Sequence, residues 1–257
     1  MDLGLKGRTA LITGGSKGIG YAIAEQLAAE GCNVILVART LADLEQARGK
    51  LLEQYAVGVT ICAADLSQAA ATRAVAAEFP DVDILVNNAG AIRHGTIEEV
   101  DDALWRIYWD LKVFGYINLT RAYYALMKPR GRGVIINIIG AGGERLNAGY
   151  IAGASGNASL MAFTRAMGGV SPDHGIRVVG LNPGSVLTEK KMMALLGEAK
   201  EKFGDADRWP ELVKSLPFGR TIKPVEISSM VALLASDLSG YTSGTVITID
   251  GGATHRR

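Results

Sequence analysis

The chain has 257 residues, of which 48% are hydrophobic and 21% are charged. A chain of this length and composition can bury a sizeable core, which excludes an intrinsically disordered protein. Its formal net charge of +1 excludes a surface that binds nucleic acid through a large excess of basic residues, so no nucleic-acid partner is expected.

Strands and helices alternate along the chain. The first strand is the apolar run 10–12, and a helix begins near Tyr21 after a glycine-rich turn. Periodicity then predicts strands at 34–37, 57–62, 82–86, 133–139, 178–181 and 245–249, and helices at 41–54, 67–78 (capped by Ser67), 101–127, 149–169 and 224–236, with 187–216 irregularly helical. This order predicts an α/β fold: a Rossmann-type, doubly wound parallel sheet of about seven strands with helices on both faces. With no repeat or linker, we interpret residues 1–257 as a single domain.

The turn at 13–20 is the most informative stretch. Gly14, Gly18 and Gly20 lie between a strand and a helix. Backbone N–H groups and the positive end of the helix converge at such a turn, where a phosphate fits. A Cβ atom at these positions would hold a pyrophosphate away from the backbone. The spacing Gly-x-x-x-Gly-x-Gly is not the common Gly-x-Gly-x-x-Gly, and a flexible turn without a ligand is the alternative.

Cysteine usage and the amino terminus indicate a cytoplasmic protein. Cys32 and Cys62 are the only cysteines, which fits a reduced interior. The first residues, 1–6, lack the apolar core of a signal peptide. The longest uncharged stretch, 146–164, is rich in Gly, Ser and Asn, so neither a membrane span nor membrane attachment is expected.

Four motifs, in order and well spaced, resemble the short-chain dehydrogenase/reductase family over the whole chain. They are Thr13-Gly14-x-x-x-Gly18-x-Gly20, Asn87-Asn88-Ala89-Gly90, Asn182-Pro183-Gly184-x-Val186-x-Thr188 and Asp250-Gly251-Gly252. The resemblance implies an oxidoreductase that binds a nicotinamide dinucleotide across the strand ends. It also implies a substrate lid at about 187–216, and a homodimer or homotetramer formed through the helices at 101–127 and 149–169.

The resemblance also implies which residues contact the cofactor. The turn residues Gly14, Ser16, Lys17, Gly18, Ile19 and Gly20 would surround the phosphates, Asp65 and Leu66 the adenine, Asn88, Ala89 and Gly90 the ribose, and Pro183, Gly184, Val186 and Thr188 the carboxamide. No metal site is predicted.

The residues after the second strand favour NADP(H) over NAD(H). An acidic residue there would accept the ribose hydroxyls and repel a 2′-phosphate, but Ala38 and Arg39 occupy these positions. Arg39 and Lys17 together suit a phosphorylated ribose. The alternative is that both are solvated surface charges.

The family's catalytic Asn, Ser, Tyr and Lys fall on Lys112, Gly140, Gly153 and Asn157, respectively. No Lys occurs at 129–189, and no Ser or Thr occurs at 131–151. The Tyr-x-x-x-Lys pattern is therefore missing from the helix at 149–169. We expect cofactor binding to be retained and the usual alcohol–ketone chemistry to be altered.

Three residues are candidates for the missing proton chemistry. Lys112 is one, if it faces Asn157 across the site, because a Lys pKa shifts when the ammonium is desolvated; the alternative is that Lys112 extends to solvent. Tyr150 either swings toward Gly153 or packs at the start of its helix. His94 is a spare proton donor or a surface residue.

Three other features near these positions each have two interpretations. Glu144 and Arg145 either hold a polar substrate or pair with each other. The Met-rich stretch 192–196 is a lid over an apolar ligand or a helix contact. The glycines at 149, 153 and 156 leave room for a larger ligand or allow a close helix contact.

Two classes of function follow. The first is an NADP-dependent oxidoreductase with a rearranged or substrate-assisted proton donor and a small-molecule substrate that the sequence does not identify. The alternative is a catalytically inactive NADP(H)-binding sensor, or a hetero-oligomer partner of an active paralogue.

Overall fold

A computed structural model describes residues Met1–Arg256 and contains one seven-stranded parallel sheet. The strands are β1 (Thr9–Thr13), β2 (Asn33–Ala38), β3 (Val59–Ala63), β4 (Ile84–Asn87), β5 (Gly133–Ile138), β6 (Ile176–Pro183) and β7 (Val246–Ile249). Their order is β3-β2-β1-β4-β5-β6-β7. The predicted doubly wound α/β fold is therefore confirmed.

Helices connect successive strands and cover both faces of the sheet. They are α1 (Gly18–Ala29), α2 (Leu41–Gln54), α3 (Ala69–Glu78), α4 (Asp102–Trp109), α5 (Gly115–Met127), α6 (Ile151–Val170), α7 (Glu189–Phe203) and α8 (Pro224–Ala235). None of the helices in this part of the chain is long and apolar enough to cross a membrane.

The central strands form the core because both of their faces are buried. Ala10, Leu11 and Ile12 of β1 have no exposed surface. Alternate residues of β1 pack on opposite sides, since Ala10 and Ile12 belong to one apolar cluster and Leu11 to another. β1 pairs with β2 on one side and with β4 on the other, so the strand order reverses here. A crevice opens at such a switch point, beyond the carboxyl ends of the strands.

Some element boundaries differ from the sequence prediction. β3 begins at Val59 and not at 57. The third helix begins at Ala69, and Ser67 does not cap it. The backbone N–H and the hydroxyl of Ser67 both donate to Asp65 Oδ1, at 3.1 and 2.9 Å. Ser67 therefore belongs to a local turn that precedes the helix.

The long helix predicted at 101–127 is present and contains a π-helical turn. A π-helical turn, Asp110–Phe114, separates α4 from α5. The π-helical turn itself was not predicted, because residues 110–114 contain neither Pro nor Gly and so carry no local signal of it. The extra residue in the turn changes the direction of the side chains, and Lys112 lies within it. Such π-turns are frequent at functional sites.

Candidate active-site cleft

A cleft of about 1260 Å³ lies beyond the carboxyl ends of β1, β4, β5 and β6. The predicted cofactor residues that line it are Gly14, Lys17, Gly18, Ile19, Asn88, Ala89, Gly90, Pro183, Gly184 and Thr188. The three catalytic candidates, Lys112, Tyr150 and His94, line it as well, and so do Gly140 and Asn157, which occupy two of the family's catalytic positions. The cleft thus brings together residues of all four motifs, from Gly14 to Asp250.

The glycine turn has the shape that the sequence predicts. Gly14 and Gly18 have φ angles of +65° and +59°, where residues with a side chain are strained. A Cβ at Gly20 would lie only 2.2 Å from the Gly14 carbonyl oxygen. Thr13 Oγ1 accepts hydrogen bonds from the backbone N–H groups of Asn88 (2.8 Å) and Ala89 (2.9 Å). Hydrogen bonds therefore join the turn and the Asn-Asn-Ala-Gly motif into one cradle beside the cleft.

Some of the predicted cofactor residues lie outside this cleft. They are Ser16, Gly20, Arg39, Asp65, Leu66 and Val186. Leu66 and Val186 are buried in apolar clusters, and Gly20 supports the turn from behind.

The two cations considered for a 2′-phosphate differ in their surroundings. Lys17 Nζ forms an ion pair with Asp43 Oδ2 at 2.8 Å. Arg39 is exposed and takes part in none of the ion pairs within Met1–Arg256. Since Lys17 already has a carboxylate partner, Arg39 carries the charge argument for NADP(H).

Lys112 points into the cleft, so the alternative that it extends to solvent is wrong. Its Nζ donates to the backbone carbonyl of Ile139 at 2.6 Å. Its aliphatic stem lies on Gly90, where a Cβ would come within 2.8 Å of Lys112 Cδ. Burial lowers the pKa of the Lys112 ammonium to about 8, because a low-polarity environment disfavours the charged form.

Asn157 approaches the same backbone segment from α6. It is only 2% exposed, and its Oδ1 has no hydrogen-bond partner within Met1–Arg256. A Cβ at Gly140 would lie 3.1 Å from Asn157 Nδ2. Lys112 therefore contacts residue 139 and Asn157 lies against residue 140, at the same short stretch of backbone after β5.

Tyr150 lies immediately before α6, and its ring covers Gly153. A Cβ at Gly153 would be 2.0 Å from Tyr150 Cζ, so the ring fills the space of a residue-153 side chain. Burial raises the pKa of the Tyr150 phenol. Tyr150 thus packs at the helix start and also borders the cleft, without any swing.

His94 is exposed and packs against the ring of Tyr150, with ring centroids 4.9 Å apart. A parallel backbone bridge between Gly95 and Tyr150 holds the two segments together. His94 therefore lies at the open rim of the cleft.

Glu144 and Arg145 do not pair with each other, which removes one of the two alternatives. Glu144 accepts hydrogen bonds from Asn182 Nδ2 (3.2 Å) and from Thr248 Oγ1 (2.8 Å). Arg145 lines the cleft. Sequence reasoning missed the Thr248 contact because the two residues lie 104 positions apart. Within Met1–Arg256 there is no group of three or more His, Cys, Asp or Glu side chains placed to hold a metal ion.

Comparisons with known proteins agree with this geometry. The profile of the family described as short chain dehydrogenase matches residues 8–199. Galactitol 2-dehydrogenase (L-tagatose-forming) of Cereibacter sphaeroides is 34% identical over 255 residues, covering 97% of this chain and 96% of that protein. Acetoacetyl-CoA reductase of Allochromatium vinosum is 30% identical, covering 95% of this chain and 98% of that protein.

A solved structure is similar over the full length. L-Sorbose reductase from Gluconobacter frateurii, complexed with NADPH and L-sorbose, superposes with a TM-score of 0.95 at 32% identity, covering 100% of both chains. The chain belongs to the short-chain dehydrogenase/reductase family. Membership in this family accounts for the order of the strands, the glycine turn and the position of the cleft, and it identifies the chain as an oxidoreductase homologue.

Proposed function

We propose that the chain is an NADP(H)-dependent oxidoreductase of small carbonyl or hydroxyl compounds whose active site is rearranged around Lys112. The positions of the family's Asn, Ser, Tyr and Lys are occupied by Lys112, Gly140, Gly153 and Asn157. The proton chemistry of these four family residues is therefore assigned to Lys112. Bound cofactor supplies or accepts the hydride.

The observation that carries the proposal is the geometry of Lys112. Its Nζ is held at 2.6 Å by the Ile139 carbonyl, at the border of the cleft. An ammonium with a pKa of about 8 is protonated at neutral pH and gives up its proton readily. That pKa lies near the range expected of a general acid that works around neutrality.

The proton balance is simple. In reduction, Lys112 Nζ donates one proton to the substrate oxygen while the carbonyl carbon gains hydride, and the neutral amine regains its proton from water. In oxidation, the neutral amine accepts the hydroxyl proton. The Ile139 carbonyl accepts a hydrogen bond from Nζ and so orients it. The phenol of Tyr150, kept neutral by its raised pKa, donates a hydrogen bond to the substrate.

The cofactor preference rests on charge at the end of β2. Ala38 offers no carboxylate to repel a 2′-phosphate, and Arg39 is free of ion pairs within the described residues. The NADPH in the L-sorbose reductase complex supports this preference by similarity. Ser16, Gly18, Gly20, Asp65, Leu66 and Val186 remain proposed cofactor residues or supports of the cradle.

Further proposals concern the lid, the assembly and the location. Glu189, Lys190 and Leu216 line the cleft, which supports a substrate lid at about 187–216. Two exposed apolar side chains, Ile107 before the π-helical turn and Phe114 at its end, support a homodimer or homotetramer. Free cysteines support a cytoplasmic location. We treat residues 1–257 as one domain.

The test is NADPH consumption across a panel of carbonyl and enone compounds, with Lys112→Met and the matched exposed control Lys50→Met. We expect turnover in the wild type and in Lys50→Met, and a loss of at least about a hundredfold in Lys112→Met. Tight NADPH binding without turnover of any compound would favour the alternative, a cofactor-binding sensor or hetero-oligomer partner. Failure to bind NADPH or NADH would refute both.

A further inference from the structure

Arg145 occupies a defined position at the rim of the cleft. It lies between the end of β5 and the start of α6, and its side chain is exposed and lines the cleft. Its backbone N–H donates to the Ala141 carbonyl at 3.0 Å, at the end of a single 3₁₀ turn. The backbone at this position is therefore ordered by local hydrogen bonds.

The guanidinium of Arg145 has no internal counterion. The neighbouring carboxylate, Glu144, turns inward, where Asn182 and Thr248 donate to both of its oxygens. None of the ion pairs within Met1–Arg256 involves Arg145. The cleft thus contains a positive charge that the described part of the chain does not neutralise.

The position of Arg145 separates it from the adenosine end of the cofactor site. A 2′-phosphate would lie beyond β2, near Arg39, whereas Arg145 follows β5. Three strand-to-strand steps separate β2 from β5, which corresponds to about 14 Å at the usual strand spacing. Arg145 therefore faces the half of the cleft in which Lys112 and Tyr150 lie.

The rest of this rim contains basic, apolar and acidic side chains. Lys190 is exposed and also lines the cleft, as do Leu146 and Leu216. Two carboxylates line it as well, Glu189 and Asp250. Asp250 accepts hydrogen bonds from the backbone N–H groups of Gly252 and Thr254. Neither carboxylate forms an ion pair with Arg145 within Met1–Arg256, so the guanidinium stays available to a ligand.

We infer that the substrate carries an anionic group, a carboxylate or a phosphate, and that Arg145 binds this group while the carbonyl end reaches Lys112. This inference rests on the proposed function and specifies its substrate class. A planar guanidinium matches both anions because it donates two parallel hydrogen bonds to them. Arg145 is thus a specificity-determining residue.

The experiment measures ligand binding separately from turnover. Protein saturated with NADP⁺ is titrated by ligand-observed NMR with short 2-oxo acids, with their methyl esters and with phosphate-bearing carbonyl compounds of similar length. The proteins are the wild type, Arg145→Gln and the exposed control Arg73→Gln on α3. We expect one anionic series to bind roughly tenfold more tightly than the esters. The preference should disappear in Arg145→Gln and persist in Arg73→Gln.

Each result decides the inference. Equal binding of acids, phosphates and esters, no binding of any of them, or an anion preference that survives in Arg145→Gln would overturn it. The acid and phosphate arms identify which anion is recognised. Anion binding that depends on Arg145, without NADPH consumption, would keep the inference and refute the proposed catalysis, so the two failures are distinguishable. An NADP⁺ affinity unchanged by Arg145→Gln shows that the variant is folded.

Discussion

At the scale of single residues, Lys112 is the side chain on which the proposed function depends. The ordinary pKa of a lysine, 10.5, falls to about 8 here because the ammonium is desolvated. Its carbonyl partner is neutral, so no negative charge offsets the desolvation. A desolvated cation without a counterion reduces the free energy of unfolding of the native state. Groups that reduce stability in this way are typical of functional sites.

The first prediction concerns stability against pH. Between pH 8 and 10.5 the unfolded chain holds the Lys112 proton and the native state does not, so the free energy of unfolding rises with pH in this window. Relative to Lys112→Met, the wild type should gain about 1–2 kcal/mol from pH 8 to 10.5, a value reduced for partial exposure. Urea unfolding at several pH values measures it. Lys50→Met, which alters an exposed lysine, should run parallel to the wild type.

The second prediction concerns catalysis against pH. Reduction requires protonated Lys112, so kcat/KM for a carbonyl substrate should fall tenfold per pH unit above about pH 8. The residual kcat/KM of Lys112→Met should not fall in this way above pH 8. The same fall in the variant would show that another group supplies the proton.

At the scale of elements, a neighbouring aromatic ring packs onto the backbone of α6 at a glycine. Tyr150, three residues earlier, covers the position that a Cβ of residue 153 would occupy. Gly156 lets Trp109 approach, since a Cβ there would lie 3.2 Å from Trp109 Nε1. The glycines of this helix therefore serve close packing, and the alternative of empty volume for a larger ligand is wrong at 153 and 156.

The third prediction tests the packing of the Tyr150 ring on Gly153. Gly153→Ala should destabilise the protein by about 1–3 kcal/mol, because its Cβ would clash with the Tyr150 ring. Gly169→Ala on the same helix has open space around it and should be neutral or stabilising by up to about 1 kcal/mol. Thermal denaturation gives both values. In a Tyr150→Ala background, Gly153→Ala should cost nothing, and an equal cost there would contradict the proposed clash.

At the scale of the whole molecule, folding turns separate motifs into one binding surface. β1, β4, β5 and β6 end at the same edge of the sheet, so the glycine turn, the Asn-Asn-Ala-Gly motif and the Asn-Pro-Gly motif meet there. A ligand that bridges these segments stabilises the entire native state, because the unfolded chain has no such site.

The fourth prediction uses this linkage to test cofactor preference. NADPH at a hundred times its Kd should stabilise the protein by about 2.7 kcal/mol, which raises Tm by roughly 5–10 °C for a chain of this size. NADH at the same concentration should have a smaller effect. In Ala38→Asp the order should reverse, because a carboxylate at the end of β2 repels a 2′-phosphate. Ala77→Asp, on the exposed face of α3, adds the same charge elsewhere and should keep the wild-type order.

Much of the fold and of the cofactor cradle follows from local sequence. Apolar runs that alternate with helical periodicity specify a parallel sheet, because strands buried on both faces need continuous apolar sequence. The turn at Gly14 and Gly18 was predictable for a similar reason, since positive φ angles strongly favour glycine. The missing Tyr-x-x-x-Lys pattern is likewise read directly from the residues of α6.

Contacts between distant residues were not predictable in this way. The π-helical turn at 110–114, the inward direction of Lys112 and the contact of Glu144 with Thr248 each required the folded chain. Sequence periodicity reports which side of an element is apolar, but the direction of a polar side chain depends on the partners that packing places beside it. The cradle is therefore encoded locally, whereas the groups that would move a proton are brought together by the packing of separate elements.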